Sequence, residues 1–252
     1  MENYFDKPKE KHYREDYLKN VKEYKKEYKL PIDFYDIEVF YFHHGLKHAG
    51  EKLKNYIKNK DFLDIGAYIG DSVLTLAEYK PKKIHSFEIS KENIANYKKT
   101  MDMNNISQDI WNLVEKGVSD TKKTINFDDK SGQGVSLKNF GDSQTECIDI
   151  DSFVNENNLT IGFIKADVEG NMYEALCGMQ ETIKKDRPVL SLAIYHNPQE
   201  FFECKPLLEK YTENLNYKIT INCHHPFYDC NNGVILFAYP QELGDDNFLK
   251  YE

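Results

Sequence analysis

Residues 63–72, LDIGAYIGDS, constrain the fold more strongly than any other segment of the chain. An apolar run ends at Ile65, Gly66 and Gly70 mark a turn, and Ser72 begins a helical pattern. A strand that passes through a glycine turn into a helix is typical of the first unit of a doubly wound α/β fold. The turn in such folds binds a nucleotide or a related ligand, so the segment predicts both an architecture and a ligand site.

Strand-like and helical patterns alternate along the chain after this turn. The alternation predicts an α/β fold with a doubly wound, mostly parallel sheet of seven strands, whose C-terminal strand is antiparallel because a hairpin closes the chain. The predicted strands are residues 62–65, 83–88, 111–118, 162–167, 189–195, 217–223 and 233–239. The predicted helices are residues 72–79, 91–103, 151–157 and 172–187, and one more that begins at Pro198 after an Asn197 cap.

Two segments need separate comment. Residues 172–187 predict one uninterrupted helix, because Met172, Leu176, Met179 and Ile183 form an apolar stripe that ends before a proline. Residues 121–149 break the alternation with three glycines and short β-type runs, and they predict a hairpin-like β insertion.

The first part of the chain is polar and rich in lysine, and its apolar residues recur at helical spacing. We expect a helical arm over residues 1–58 that packs its tyrosines on the α/β domain of residues 59–245. The positions that carry this pattern are Tyr13, Tyr17, Val21, Tyr24 and Tyr28, followed by Leu46, Ala49, Leu53 and Ile57.

Composition excludes some function classes for these 252 residues. The formal net charge of −9 disfavours a nucleic-acid partner, because such binding needs basic surface. The five cysteines form no CxxC pair, and Cys223, His224, His225 and Cys230 match no common zinc module. No apolar run approaches the ~20 residues that cross a bilayer, so we expect a cytoplasmic protein without integral membrane contact. A homo-oligomer remains open.

The glycine turn distinguishes between three kinds of ligand. A nucleotide triphosphate needs GxxxxGK[ST], and this turn has no lysine. A dinucleotide needs GxGxxG, whereas Ala67 and Tyr68 stand where the second glycine would let a pyrophosphate approach. Asp64 at the end of the strand would also repel phosphate.

S-adenosylmethionine (SAM) meets both objections, since it has no phosphate and its ammonium can be held by Asp64. Glu88 lies 22 positions after Gly66, close to the ~20-residue offset at which an acidic side chain accepts from ribose hydroxyls. The alternative is that Asp64 caps a helix and Glu88 is a solvated surface charge.

Six motifs occur in the order found in one known family: DIGAYIGDS, FEIS, GVSD, TECIDIDSF, FIKADVEGNMYEAL and SLAIYHNPQEF. Over about residues 35–240 the sequence resembles the FkbM-type SAM-dependent methyltransferases, from which it departs at Ile89, where a proline is frequent, and at Ala166. The resemblance implies a class I, Rossmann-like methyltransferase fold and methyl transfer to an oxygen, with S-adenosylhomocysteine (SAH) as product. It also implies a sugar or glycan-related acceptor.

The predicted cofactor-binding residues combine the turn with what the resemblance implies. Gly117 and Val118, at the end of the third strand, would approach the adenine, and Asp167 would lie beside the methionine portion of SAM. The full set is Asp64, Gly66, Ala67, Tyr68, Gly70, Asp71, Ser72, Glu88, Ile89, Gly117, Val118 and Asp167.

Candidates for catalysis follow the fourth and fifth predicted strands, where open α/β sheets bind their ligands. We expect His196 to be the general base that takes the proton of a hydroxyl, because an unperturbed imidazole titrates near pH ~6.5. Asp167 and Glu169 complete the catalytic set. The alternatives are that His196 holds the following turn and that Glu169 stabilises the helix after it. A divalent metal held by all three is left open.

The leading hypothesis is a SAM-dependent O-methyltransferase that acts on a small molecule, namely a sugar, a nucleotide sugar or a glycan unit. Alternatives are a non-catalytic SAM-fold binding protein, a metal-assisted methyltransferase of a small non-sugar hydroxyl compound, and a nicotinamide-dependent oxidoreductase. His43 and His44 are open candidates for a substrate lid, His48 is expected on the surface, and the His224-His225-Pro226 run is expected at the border of the acceptor pocket.

Overall fold

The computed structural model describes residues 8–127, 129, 141–223 and 233–244, with side chains from residue 15 onward. The helices are α1 (Pro8–Glu27), α2 (Ile37–Phe40), α3 (Glu51–Ile57), α4 (Asp71–Leu76), α5 (Lys91–Met103), α6 (Ile150–Glu156), α7 (Met172–Cys177), α8 (Gln180–Asp186) and α9 (Pro198–Thr212). The strands are β1 (Asp61–Ile65), β2 (Ile84–Phe87), β3 (Trp111–Val114), β4 (Gly117–Val118), β5 (Lys123–Phe127), β6 (Ser143–Ile148), β7 (Ile161–Ala166), β8 (Val189–Ala193), β9 (Tyr217–Cys223) and β10 (Val234–Pro240). Short 3-10 helices cover Ala77–Tyr79 and Gln241–Leu243.

The main sheet has seven strands in the order β3-β2-β1-β7-β8-β10-β9. Strands β3, β2, β1, β7 and β8 are parallel neighbours, and β10 runs antiparallel to both β8 and β9. The predicted fold class, a mostly parallel seven-stranded sheet with an antiparallel C-terminal strand, is therefore confirmed. The strand order reverses between β1 and β7, which is where doubly wound sheets open a crevice for a ligand.

Helices cover both faces of this sheet. Successive side chains of a strand point to opposite faces, so apolar residues of one strand contribute to a core on each side. Leu63 and Ile65 of β1 pack into one core with α6, α7, α8 and α9. Phe62 of the same strand packs into a second core with α1 to α5. The central strands β1, β2, β7 and β8 are buried along their whole length, as expected for a parallel sheet covered on both faces.

The N-terminal helix packs on the second core as its tyrosine pattern predicts. Tyr24 is buried there, and Tyr17, Val21 and Tyr28 pack against it. The Tyr28 hydroxyl also donates to Glu78 over a distance of 2.6 Å. Within the described residues, no helix is both long enough and apolar enough to cross a bilayer.

The single strand predicted over residues 111–118 is wrong. Strand β3 ends at Val114, and β4 joins β6 and β5 in a separate three-stranded sheet. The chain turns away because the Lys116 amide bonds back to the Val114 carbonyl, and Ser119 then bonds to Ile148. The hairpin predicted for the insertion is present as the antiparallel pair of β5 and β6.

The single helix predicted over residues 172–187 is also wrong, because α7 ends before Gly178 and α8 begins at Gln180. A Cβ on residue 178 would lie 2.1 Å from the Ser119 carbonyl oxygen. Only a glycine therefore fits where the chain approaches the segment that follows β4. The Asp151 carboxylate then accepts from the amides of Glu181 and Thr182 and starts a new helix. The apolar stripe continues across the break, which is why periodicity alone did not detect it.

Candidate functional site

A cavity of about 700 Å³ lies at the carboxyl ends of the central parallel strands. This is the position at which open α/β sheets bind ligands. The side chains that converge there come from the glycine turn, from the ends of β2, β7 and β8, from β4 and β10, and from the N-terminal segment. The wall contains Phe34, Asp36, Glu38, Val39, His44, Ile65, Gly66, Tyr68, Asp71, Ser72, Phe87, Glu88, Ile89, Asn93, Lys116, Gly117, Val118, Lys165, Ala166, Asp167, Val168, Glu169, Gly170, Ser191, Ala193, Tyr195, His196, Asn197, Gly233 and Ile235.

The glycine turn brings backbone unusually close to the end of β7. Gly66 has φ +77°, and a Cβ placed on it would lie 1.8 Å from the Asp167 carbonyl oxygen. Only glycine fits there, and the contact fixes Asp167 against the turn. Tyr68 is also held at a positive φ of 48°, and it lines the cavity together with Gly66.

Two other predicted residues of the turn lie behind the wall. Ala67 is buried in the second core, and Gly70 faces the ring of Tyr97. Both support the turn without lining the cavity.

Asp64 lies outside the cavity wall, contrary to the role predicted for it. Its carboxylate is fully buried and forms an ion pair of 3.1 Å with Lys165 Nζ on the neighbouring strand β7. Burial raises the pKa of Asp64, and Lys165 counters that rise. The carboxylate therefore neutralises a lysine of the wall and is not placed to hold a ligand ammonium.

Lys165 was missed by the sequence interpretation. Burial alone would lower its pKa, but the charges of Asp64 and Asp167 outweigh burial and raise it, so the amine is charged. It also donates to the Gly66 carbonyl, which ties β7 to the glycine turn. The available signal was a lysine inside a run that is otherwise apolar.

Glu88 follows β2 directly and lies in the wall with only 7% of its surface exposed. Its carboxylate accepts hydrogen bonds from the backbone amides of Tyr68, Ile89 and Ser90 at 2.8–2.9 Å. Burial raises its pKa and these amides lower it in part. The alternatives that Glu88 is a solvated surface charge and that Asp64 caps a helix are wrong, since Asp64 belongs to β1.

Asp71 and Ser72 begin α4 and also lie in the wall. Burial and the nearby Asp36 raise the pKa of Asp71 to about 7. Ser72 Oγ lies 2.9 Å from Nε2 of His44. Gly117 and Val118 reach the cavity from β4 of the second sheet rather than from the third strand of the main sheet.

The three predicted catalytic residues come together in the cavity. Asp167 and Glu169 follow β7, and His196 follows β8. His196 Nε2 lies 3.2 Å from Asp167 Oδ1 and 3.5 Å from Glu169 Oε2. One side-chain ligand atom from each of the three residues lies within 4.8 Å of the others. Glu169 has φ +48°, a strained conformation for a residue with a side chain, and such strain is frequent at functional sites.

A fourth side chain, Glu200 of α9, orients His196. Its carboxylate is fully buried and accepts from the His196 backbone amide at 3.2 Å, while the same oxygen lies 3.1 Å from the Nδ1 atom. It also accepts from the Met172 amide at 2.9 Å, so it joins the starts of α7 and α9. The sequence interpretation missed Glu200 because an acidic residue in the first turn of a helix is ordinary.

The carboxylates around His196 change its protonation. Burial lowers its pKa, but Asp167, Glu200 and Glu169 outweigh burial and raise the pKa to about 10. The predicted general base relied on a value near 6.5, and the surrounding carboxylates raise the pKa of His196 above that value. Burial and the charge of Asp167 raise the pKa of Glu169 to about 7, whereas His196 and Lys165 keep that of Asp167 low despite its burial.

Three histidines near the N-terminal segment have different positions. His44 is buried in the cavity wall, whereas His43 bonds to the Tyr79 hydroxyl at 3.0 Å outside the wall. Burial and Lys47 lower the pKa of His43 to about 3. His48 is exposed as expected. The predicted His224-His225-Pro226 border lies outside the described residues.

The fold is similar to that of known methyltransferases. A crystal structure of methyltransferase FkbM from Methylobacillus flagellatus KT matches with a TM-score of 0.58 and 14% identity, over 89% of this chain and 60% of that one. The chain thus spans about 60% of the length of that relative. The match to an rRNA methylase from Streptococcus thermophilus (12% identity, TM-score 0.47) covers 77% of this chain and 93% of that one. The match to a Streptococcus mutans protein solved in complex with SAH (13% identity, TM-score 0.47) covers 77% of this chain and 94% of that one.

The class defined by the sheet order and by the site at its carboxyl edge is the Rossmann-like methyltransferase fold. Residues 64–219, more than half of the chain, match the model of the methyltransferase FkbM domain. The chain belongs to the FkbM methyltransferase family. A comparison with curated proteins found no match.

Proposed function

We propose that the protein is a SAM-dependent O-methyltransferase that transfers a methyl group to a hydroxyl of a sugar, a nucleotide sugar or a glycan unit. Membership of the FkbM family supports the reaction class. The observation that carries the proposal is the position of Asp167. Its carbonyl packs on Gly66 of the cofactor turn, while its carboxylate lies 3.2 Å from His196, so cofactor binding and proton handling meet at one residue.

The residues in the wall suit SAM, which supplies an electrophilic methyl group when bound. Gly66 and Tyr68 present backbone to the ligand, and Glu88 places a carboxylate in the wall, where a ribose hydroxyl would donate to it. The Asp167 carboxylate lies in the wall beside the glycine turn, where its negative charge favours a cationic cofactor. Asp71 adds a second carboxylate for the methionine ammonium.

Methyl transfer requires the acceptor oxygen to be aligned with the methyl group and to lose its proton. In our proposal the cluster of Asp167, Glu169 and His196 removes the proton of the acceptor hydroxyl. Its carboxylate oxygens accept the proton, and His196, fixed by Glu200, balances their charge. The base function that the sequence interpretation assigned to His196 is thus shared by the cluster.

The acceptor side of the cavity is rich in hydrogen-bond acceptors. Asp36 and Glu38 from the N-terminal segment line the same cavity as Glu169 and Asn197. Such groups bind the hydroxyls of a sugar well and repel phosphate. Within the proposed class, a neutral sugar or glycan unit is therefore favoured over the phosphate portion of a nucleotide sugar.

The test is a turnover assay that measures SAH formation with free sugars, glycans and nucleotide sugars as acceptors. We expect turnover with at least one neutral acceptor, and a loss of about 10²-fold or more in His196→Ala and in Glu169→Gln with SAM affinity unchanged. His48→Ala is the matched control, because His48 is exposed and lies outside the wall. Turnover that survives in both cluster variants would refute the assignment. SAM binding without turnover on any acceptor would favour a non-catalytic binding protein.

A further inference from the structure

The cluster that handles the proton also has the composition and spacing of a cation site. Asp167 and Glu169 contribute carboxylate oxygens and His196 an imidazole nitrogen, and all three follow strand ends on one side of the cavity. We propose that these three residues bind a divalent cation of the Mn²⁺ or Mg²⁺ type beside the acceptor hydroxyl. The inference rests on the proposed function, whose site it completes.

The distances fit a shared ion. Ligand atoms about 2.0–2.2 Å from one metal at right angles lie about 3 Å from each other. The His196 Nε2 atom lies 3.2 Å from Asp167 Oδ1 and 3.5 Å from Glu169 Oε2, and one ligand atom from each of the three residues lies within 4.8 Å of the others, so side-chain adjustments would bring them to one centre. Glu169 and Gly170 both have positive φ values, +48° and +98°, in the segment that holds Glu169 Oε2 within 3.5 Å of His196.

A second observation concerns unsatisfied atoms. The His196 side chain is nine-tenths buried, with 10% of its surface exposed. Despite their proximity, neither His196 Nε2 nor Asp167 Oδ1 makes a hydrogen bond of acceptable geometry within the described residues. A buried polar atom left without a hydrogen-bond partner is costly to the fold. Both atoms point into the same space, and one cation would satisfy both.

Glu200 supplies the support that metal-binding histidines usually have. Metal-ligating histidines almost always donate their other ring N–H to a carboxylate or carbonyl, which fixes the tautomer and the ring orientation. The His196 Nδ1 atom lies 3.1 Å from the fully buried Glu200 carboxylate, so Nε2 becomes the ligand atom when the cation displaces the proton that it carries and releases it to water. The site therefore has both its ligands and the group that orients one of them.

The donor set selects the kind of ion. The two carboxylates, which outnumber the single imidazole, together with open positions for water suit Mg²⁺ and Mn²⁺. A cation here would polarise an acceptor hydroxyl and favour its ionisation. Each carboxylate needs only one oxygen for the ion, which leaves the other to accept the proton.

The experiment titrates the chelator-treated protein with Mn²⁺ and follows free Mn²⁺ by electron paramagnetic resonance. We expect one site, weakened at least tenfold in Glu169→Gln and in His196→Gln, and about 10–100-fold in Glu200→Gln, which alters only the orienting group. Glu174→Gln removes the same charge from α7 outside the wall and should bind Mn²⁺ normally. Thermal melts establish that each variant is folded.

Titration of the same samples with SAH separates this inference from the proposed function. Binding of SAH without any Mn²⁺ site, or Mn²⁺ binding that is equal in all four variants, overturns the cation site and leaves the methyltransferase proposal standing. Mn²⁺ binding that depends on Glu169 and His196, in a protein that binds no SAH, supports the cation site and refutes the proposed function.

Discussion

Lys165 and Asp64 stand opposite each other on the neighbouring parallel strands β7 and β1, and their side chains form a buried ion pair of 3.1 Å. Lys165 belongs to the cavity wall, whereas Asp64 lies outside it. The negative charge of Asp64 stabilises the charged form of the buried Lys165 beside the carboxylates of the site. Lys165 thus connects strand β1, through Asp64, with the glycine turn, through the Gly66 carbonyl.

Lys165→Met tests this pair through stability. The change leaves Asp64 buried without its cation, and breaking one side of a buried ion pair costs about 3–5 kcal/mol. We expect a loss of that size in the free energy of unfolding, measured by urea denaturation, and a partial recovery in the double variant Lys165→Met/Asp64→Asn. Lys184→Met is the control, since its ion pair with Glu181 is exposed and should contribute less than about 1 kcal/mol. Equal losses in the two lysine variants would contradict the account.

Gly66→Ala tests the contact between the glycine turn and β7. The new Cβ would lie 1.8 Å from the Asp167 carbonyl oxygen at a positive φ, so the backbone must move. We expect a loss of about 2–5 kcal/mol in unfolding free energy from strain and overpacking, together with loss of SAM binding in calorimetry. Gly50→Ala, at an ordinary φ of −66°, should change stability by less than about 1 kcal/mol and leave SAM binding intact. Unchanged SAM affinity in Gly66→Ala would show that the turn does not shape the site.

Glu88→Gln tests the predicted ribose partner. Removing the charge weakens each hydrogen bond that the carboxylate accepts, and bonds to charged groups are worth about 1.5–3 kcal/mol. We expect SAM affinity to fall about tenfold or more, together with a loss of stability because the three amide donors face the same loss of charge. Glu92→Gln, an exposed acid in the first turn of α5, provides the comparison. The ribose assignment fails if both variants bind SAM like the parent protein.

Asp71 should make stability depend on pH. Its folded pKa is raised from 3.8 to about 7, so above about pH 4 the native state holds a proton that the unfolded state has lost. Stability relative to Asp71→Asn should therefore fall as pH rises from about 4 to about 7, and then level off. A tenfold difference between the folded and unfolded acid constants corresponds to about 1.4 kcal/mol, so the total reaches a few kcal/mol. Urea denaturation of both proteins across this range is the measurement, and a constant difference would rule out the raised pKa.

The sequence predicted the alternation of strands and helices along the chain and the mostly parallel seven-stranded sheet, because strand burial and helix periodicity are local signals. It did not predict the breaks at Lys116 and Gly178, since both depend on a second sheet that forms between distant segments. Asp167, Glu169 and His196 were predicted as a group because they follow neighbouring strands of one sheet. The protonation of His196 was not, because it depends on Glu200, which reaches the ring through the packing of α9.

The same limit applied to Asp64. Its place at the end of a strand indicated a ligand contact, but the residue opposite it in the sheet register decides what the carboxylate touches. That partner is Lys165, about a hundred residues away in the sequence, and local patterns carry no information on such a pairing.

Calorimetric titration with SAM, SAH and NAD tests the central claim most directly. Micromolar binding of both sulfur ligands, which corresponds to about −8 kcal/mol, with no signal from NAD is the result predicted for this cavity. Binding of NAD without SAM or SAH would contradict the interpretation of the glycine turn, and the proposed methyltransferase activity would be refuted with it.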